Sequence, residues 1–252
     1  MSGTSRISLA RAPQIRAQAR TSDPIQHRVL ETLEAARNYN AWIASLALPY
    51  LGEDPVEVGS GTGTLAQLWL DAGVTRLTVS EVDSELLERL RTRFEGEGRV
   101  AVEEIDLEHA ASAGHSALVG LNVIEHVADD VGGLRAAARL VRPGGAVVVF
   151  VPAFPFVMSE FDRAIGHHRR YTMKSIRRTF GEAGLEVETT RYVNAPGLLA
   201  WLVGMRLLRL TPSEGIALRA WDRLVVPIAR RVEGRRPPPF GQSLLAVGRT
   251  PS

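Results

Sequence analysis

Between residues 56 and 152 short β-type runs alternate with helix-type runs, and this alternation constrains the fold more than any other feature of the chain. "VEVGS" leads into "TLAQLWLDAG", "RLTVSEVD" into "SELLERLRTRFEG", "RVAVEEIDL" into a loop, "SALVGLNVIEHV" into "DDVGGLRAAARLVRPGG", and "AVVVFVPA" into a longer insertion. Such an order implies parallel strands joined by right-handed helical crossovers. The expected product is a doubly wound α/β sheet whose strand ends converge on a ligand crevice.

The remaining chain is arranged around that unit. Residues 1–22 are rich in Ser, Ala and Arg without a sustained apolar period and read as a flexible N-terminal arm. Helical patterns then run over residues 23–52 until Gly52 and Pro55 end them, so residues 23–252 read as a single domain with N-terminal helices. A helix, "TMKSIRRTFGEAGL", precedes the strand-like "EVETTRYVN", and "SLLAVGRT" reads as one more strand. Residues 195–242, between the last two strands, read as a helical lid insertion.

Composition narrows the function. The formal net charge is +2, Lys174 is the sole lysine, and the arginines are scattered among 28 acids, so no nucleic-acid partner is expected. Without cysteine there is no disulfide, thiolate metal site or Cys nucleophile, which fits a cytoplasmic location. No secretion signal is read at the N-terminus. The stretch "APGLLAWLVGMRLLRL", interrupted by Arg206 and Arg209, is too short for an ordinary transmembrane helix. Together with "LVVPIA" it is also too apolar for a free surface loop. A hydrophobic acceptor pocket, a dimer face and a peripheral membrane contact are the three covers considered, and Arg206, Arg209, Arg219 and Arg223 read as the solvated side of the lid. The chain is therefore read as a monomer or homodimer.

Gly59, Gly61 and Gly63 occupy the first strand-to-helix turn, where missing side chains permit positive φ and close backbone approach. Cofactor binding and simple helix–strand packing both account for the glycines alone. The acids that follow favour a ligand. Glu81 ends the second strand, where a nucleotide fold places a carboxylate for the ribose hydroxyls, and Asp106 ends the third, with Leu107 beside it for an adenine ring. "GSGTG" is neither the G-x-G-x-x-G fingerprint nor a P-loop, so the expected ligand is an adenosine without a phosphate chain.

These motifs, in this order, resemble the class I S-adenosylmethionine-dependent methyltransferases over roughly residues 36–192, with "SLLAVGR" resembling the family's last antiparallel strand. The resemblance implies a Rossmann-like seven-stranded sheet, mostly parallel with an antiparallel last strand, and S-adenosyl-L-methionine as cofactor. It places Glu57 near the methionine amine and the backbone of Gly59, Ser60, Gly61, Gly63 and Thr64 under the ribose and methionine. Glu81, with Val82, would lie at the ribose, Asp106 and Leu107 at adenine, and Asn122 and Val123 on the methionine side. Tyr39 would close over the cofactor carboxylate, though packing against helix and sheet explains that aromatic equally well.

Methyl transfer from a sulfonium is an in-line displacement, so alignment and exclusion of water matter more than a base. His126, just beyond the fourth strand, is a candidate base for a hydroxyl acceptor. Its alternative is a Glu-His pair that caps the following helix. "EFDRAIGHHRRYTMKSI" adds His167 and Tyr171 as catalytic candidates and Asp162, Arg169 and Arg170 as substrate contacts, the acid and an arginine alternatively forming an internal salt bridge. With "RYVNAPGLLAW", which supplies Asn194 and Trp201, and "PPPFGQSLLAVGR", this segment is similar to a subgroup of methyltransferases found near or fused to polyprenyl-phosphate sugar transferases. A small-molecule or lipid-linked acceptor, methylated at oxygen, is the function implied. Two alternatives stand beside it: a cofactor-retaining enzyme that catalyses a cyclisation, and a cofactor-binding regulatory or scaffold protein. No metal is expected, because adjacent histidines on an extended segment point oppositely and no other cluster has ligand spacing.

Overall fold

The computed structural model describes residues 34–107, 109–203 and 216–252. The N-terminal arm, the helix beginning at Asp23, and Arg206 and Arg209 lie outside the described residues.

A first helix, α1 (Arg37–Ala47), leads into β1 (Val56–Val58), α2 (Thr64–Asp71), β2 (Leu77–Ser80), α3 (Ser84–Arg93), β3 (Val100–Glu103), β4 (His115–Leu121), α4 (Asp130–Leu140) and β5 (Val141–Pro152). After β5 come a short α5 (Glu160–Ala164), α6 (Met173–Glu182), β6 (Glu186–Val193), α7 (Ala195–Trp201), α8 (Ile216–Arg235) and β7 (Ser243–Arg249). The strands form one sheet in the order β3-β2-β1-β4-β5-β7-β6. Strands β1 to β5 pair in parallel, and β7 is antiparallel to both β5 and β6. The expected seven-stranded, doubly wound fold is therefore present. Strand order reverses between β1 and β4, the place where such sheets open a crevice at their carboxyl ends.

Helix starts follow local chemistry. Asp83 accepts from the N–H groups of Glu85 and Leu86 at 3.0 and 2.9 Å to cap α3, and Asp129 accepts from Gly132 at 2.9 Å to cap α4. The cap of α4 is thus Asp129 and not the Glu125–His126 pair. Thr172 and Ser175 form a reciprocal capping box at the start of α6. The run expected to continue as helix through "VRPGG" stops at Leu140, because Pro143 lacks an N–H and restricts Arg142. Val141 already pairs with His115, and the register resumes after a bulge at Ala117 and Ala146.

The period of two along buried strands sorts the core into two layers. Ala146, Val148 and Phe150 of β5 pack with Trp42, Ile43, Trp69 and Val119 on one face of the sheet, whereas Val147, Val149 and Val151 pack with Leu134, Leu140, Ile176 and Phe180 on the other. Helix α8 joins the first layer through Val226 and Ala229. Two buried acids pin it. Asp222 accepts from the N–H groups of Asn38 and Tyr39 at 3.0 and 2.9 Å, and Glu233 accepts from those of Asn194 and Ala195, both at 2.9 Å. Each carboxylate satisfies orphan donors at the first turn of another helix, α1 or α7. Among the described residues no helix is long and apolar enough to cross a membrane.

Candidate functional site

A cleft of about 750 Å³ lies at the carboxyl ends of the strands around the β1–β4 reversal. One wall is the glycine loop. Gly59 has φ +65°, and a Cβ there would lie 2.6 Å from Val123 Cγ2; Gly59 and Gly61 line the cleft together with Ser60 and Thr64. Gly63, with φ +77°, faces away from it, and a Cβ there would meet Phe94 and Leu90. One turn thus serves both purposes: Gly63 serves helix packing, and its two predecessors leave backbone open to a ligand.

Glu81 is buried at the end of β2, where its two carboxylate oxygens accept from the N–H groups of Gly61 at 3.0 Å and Val82 at 2.9 Å. The Asp83 backbone adds a third hydrogen bond to this carboxylate. Burial raises its pKa against the pull of those bonds. Glu57, 2% exposed at the centre of β1, has an Oε2 with no hydrogen-bond partner and is pushed up to about 8 by burial, the Glu81 charge adding to the effect. Tyr39, Val82, Asp106, Leu107, Asn122 and Val123 complete this part of the lining. Asn122 holds φ +56° between β4 and the turn Ile124–His126, and its N–H donates to Phe150 O at 2.7 Å.

The facing wall carries His126, Phe161, Asp162, Ile165, His167, His168, Arg170 and Trp201. Asp162 organises it. Its Oδ1 accepts from Arg170 Nη2 at 2.7 Å and lies 3.2 Å from His167 Nδ1, its Oδ2 accepts from the N–H and hydroxyl of Ser159, both at 2.7 Å, and Ser159 Oγ caps α5 by accepting from the Asp162 N–H at 3.2 Å. Burial alone would raise this carboxyl, but the bonds from His167, Arg170 and Ser159 outweigh it and hold it well below the usual range. The Arg170 guanidinium lies 5.0 Å from the centroid of the Trp201 ring. Behind the histidines, Glu125 is fully buried, with both carboxylate oxygens unpartnered, and burial pushes it up to about 8. Burial and the neighbouring imidazoles of His167 and His168 lower His126 to about 4.

Four expected site residues sit outside the cleft, Gly63 being the first. The Tyr171 hydroxyl donates to Asp130 Oδ2 at 2.9 Å, and burial beside that carboxylate keeps the phenol firmly protonated. Arg169 pairs with Asp130 at 2.9 Å and not with Asp162, so the internal salt bridge is the Arg170 one. Asn194, with φ +65°, accepts from Gly197 N–H at 3.0 Å and donates to Gln242 Oε1 at 2.8 Å, so its side chain caps α7. Conversely, Asn40, Asp83, Ile105, Gln242 and Ser243 line the cleft without having been singled out. Gln242 and Ser243 reach it only because β7 inserts beside β5, which no local pattern announces. His167 and His168 both line the cleft despite their adjacency.

Residues 56–147 match the model of a methyltransferase domain family. The chain is 34% identical over 111 residues to the ubiquinone biosynthesis O-methyltransferase of Bordetella avium, covering 42% of this chain and 45% of that protein. The chain spans about half the length of the curated relatives it matches, 45% and 52%. Among solved structures it is similar to the partner protein solved in complex with the Trm112 methyltransferase activator of Haloferax volcanii, with TM-score 0.64 and 18% identity over 92% of this chain and 100% of that one. It is also similar to the cyclase SpnF, with TM-score 0.57 and 16% identity over 92% and 98%. At such identities these two show the fold alone. The glycine loop, Glu81 and the β4 end all fall inside the matched methyltransferase domain.

Proposed function

We propose that the chain is an S-adenosyl-L-methionine-dependent methyltransferase that methylates oxygen on a small-molecule or lipid-linked acceptor. The observation that carries this reading is the single cleft in which a glycine loop and strand-end acids face a wall of aromatic, imidazole and guanidinium groups. The residues fit an adenosyl sulfonium. The unpartnered Oε2 of buried Glu57 suits the cofactor ammonium, Glu81 the ribose diol, and Asp106 and Leu107 the adenine edge and face. Tyr39, Asn122 and Val123 then bracket the methionine portion. The bound cofactor supplies an electrophilic methyl group; the protein aligns the acceptor and excludes water.

Phe161, Ile165 and Trp201 offer apolar surface to the acceptor, and Arg170 adds a cation for an anionic or polar end. His126, held near 4, is unprotonated at neutral pH but weakly basic, so proton removal from a hydroxyl is a minor part of its role. Tyr171 and Arg169 act through Asp130 in holding the wall together. The similarity to methyltransferases associated with polyprenyl-phosphate sugar transferases suggests a lipid-linked acceptor, with the segment 195–242 as its lid and a peripheral membrane contact in a cytoplasmic setting. The exposed Leu224, Ile228 and Val232 on α8 are consistent with that contact or with a homodimer face.

Calorimetric titration with S-adenosylmethionine and S-adenosylhomocysteine tests the cofactor. Saturable binding is expected, and Glu81→Ala should weaken it at least tenfold, since charge-assisted hydrogen bonds are worth roughly 1.5–3 kcal/mol each before compensation. No binding by folded protein sinks the reading. Transfer of a labelled methyl group to phenolic or polyprenyl-phosphate-sugar acceptors then separates methyl transfer from cyclisation.

A further inference from the structure

We propose that Glu125, His126 and His167 bind one divalent transition-metal cation, of the Mn²⁺, Co²⁺ or Zn²⁺ type, in the wall of the cleft. One ligand atom from each residue lies within 4.8 Å of the other two, and His167 Nε2 is 3.8 Å from Glu125 Oε1. The His126 and His167 rings meet edge to face, their centroids 4.6 Å apart. Around an ion with bonds of about 2.0–2.2 Å, neighbouring ligand atoms are roughly 3–4 Å apart, so small side-chain rotations close the triad.

Two further observations point to a cation. Glu125 is fully buried with neither carboxylate oxygen hydrogen-bonded, an arrangement that is costly unless something cationic occupies its lone pairs. The outer nitrogens of both rings are also already engaged. His167 Nδ1 faces Asp162 Oδ1 at 3.2 Å, and His126 bonds to the Gly166 backbone, with Nδ1 the ring atom on that side. Metal-ligating imidazoles are oriented in this way by a carboxylate or carbonyl on the far nitrogen, leaving Nε2 for the ion. Asp162 is itself paired with Arg170 at 2.7 Å, so the one carboxyl left to give up its proton to an ion in the triad is Glu125. Two imidazoles and a single carboxylate favour transition metals over Mg²⁺ or Ca²⁺, which select all-oxygen sites.

His126 and His167 line the cleft, so an ion held there has open positions facing an acceptor. A hydroxyl bound to it would ionise more readily. The inference goes beyond the methyltransferase reading, and its test needs neither cofactor nor acceptor.

The full chain, stripped with chelator and dialysed, is titrated with Co²⁺ while visible d–d absorption and calorimetry are followed. One saturating Co²⁺ per chain is expected, displaced by Zn²⁺ and not by excess Mg²⁺. Glu125→Gln, His126→Ala and His167→Ala should each weaken binding at least tenfold with folding verified by circular dichroism. Absence of saturable Co²⁺ binding by folded wild-type protein, displacement by Mg²⁺, or binding unchanged in all three variants overturns the proposal. Should the variants not fold, proton NMR of the wild-type Co²⁺ form decides: paramagnetically shifted imidazole N–H signals from two histidines support the site, and fewer than two refute it.

Discussion

Glu57 and Glu125 are two fully enclosed carboxyl groups at neighbouring strands, and burial pushes both up to about 8. Their surroundings differ. Glu57 lies by the glycine loop with the Ser60 hydroxyl and a second carboxyl, Glu81, as neighbours; Glu125 faces two imidazoles, with Asp162 and Arg170 beyond them. A buried acid with unused lone pairs destabilises the empty fold and is offset only when a cation arrives. Acceptors of the Glu57 kind suit an ammonium, which brings hydrogens to share. Lone-pair nitrogens beside Glu125 suit a metal ion, which brings none. Neighbours, and not the acid itself, divide the cleft between an organic cation and an inorganic one.

The largest effect should come from the group that holds the second region together. Asp162→Ala leaves Arg170 buried without its partner and frees His167, and breaking such a buried pair costs about 3–5 kcal/mol. Denaturant unfolding at pH 6 measures it. Glu125→Gln, which replaces an unpartnered neutral acid with a neutral amide, should change stability by no more than about 1 kcal/mol. Equal losses in the two variants would mean that Glu125 already has an internal structural task and is not held in reserve for a cation.

The two regions also differ in how far the sequence announces them. In a parallel sheet every carboxyl end points to the same side, so Gly59, Gly61, Glu81 and Asp106 could be assigned to one crevice from strand order alone. The opposite wall has no such rule. His167 meets Glu125 and His126 because α5 folds back over the cleft, and reasoning from the adjacency of His167 and His168 misses a cluster assembled from distant segments. Tyr171 and Arg169 are expected in the site from the charge gathered beside the helix start at Thr172, and Asn194 from the subgroup resemblance of its segment. Buried polar groups must be satisfied, and Asp130, α7 and Gln242 take up those side chains. Likewise, Asp222 and Glu233 within an arginine-rich helix give no sign in sequence that each caps another helix.

Substitution of each glutamate separately sharpens the division. Glu57→Gln should weaken S-adenosylhomocysteine at least tenfold, about 1.4 kcal/mol, and leave Co²⁺ binding unchanged. Glu125→Gln should do the reverse. Calorimetry with both ligands on both variants reads the result. If either substitution weakens both ligands equally, the cleft behaves as one site and the division fails.

The smallest effect is a proton count. Glu57 retains its proton near pH 7, and the charged groups it faces offer no cation, since the Glu81 carboxylate only raises it. An ammonium bound beside it would ionise it, so S-adenosylhomocysteine binding at pH 7 should release up to about one proton. Calorimetry in buffers of different ionisation enthalpy measures that number, and Glu57→Gln should abolish it. The same group sets a sign for stability. Below pH 4.5 both folded and unfolded forms hold the proton and there is no effect; between there and about 8 the unfolded chain has lost it and the folded chain has not, so this contribution falls as pH rises. Its slope is at most about 1.4 kcal/mol per pH unit. Other groups titrate in the wild type as well, but they are shared with Glu57→Gln, so the difference between the two unfolding profiles isolates Glu57. The variant should gain on the wild type as pH rises towards 8; parallel profiles would mean that Glu57 is already ionised in the empty cleft and that the organic cation meets a charge made ready for it.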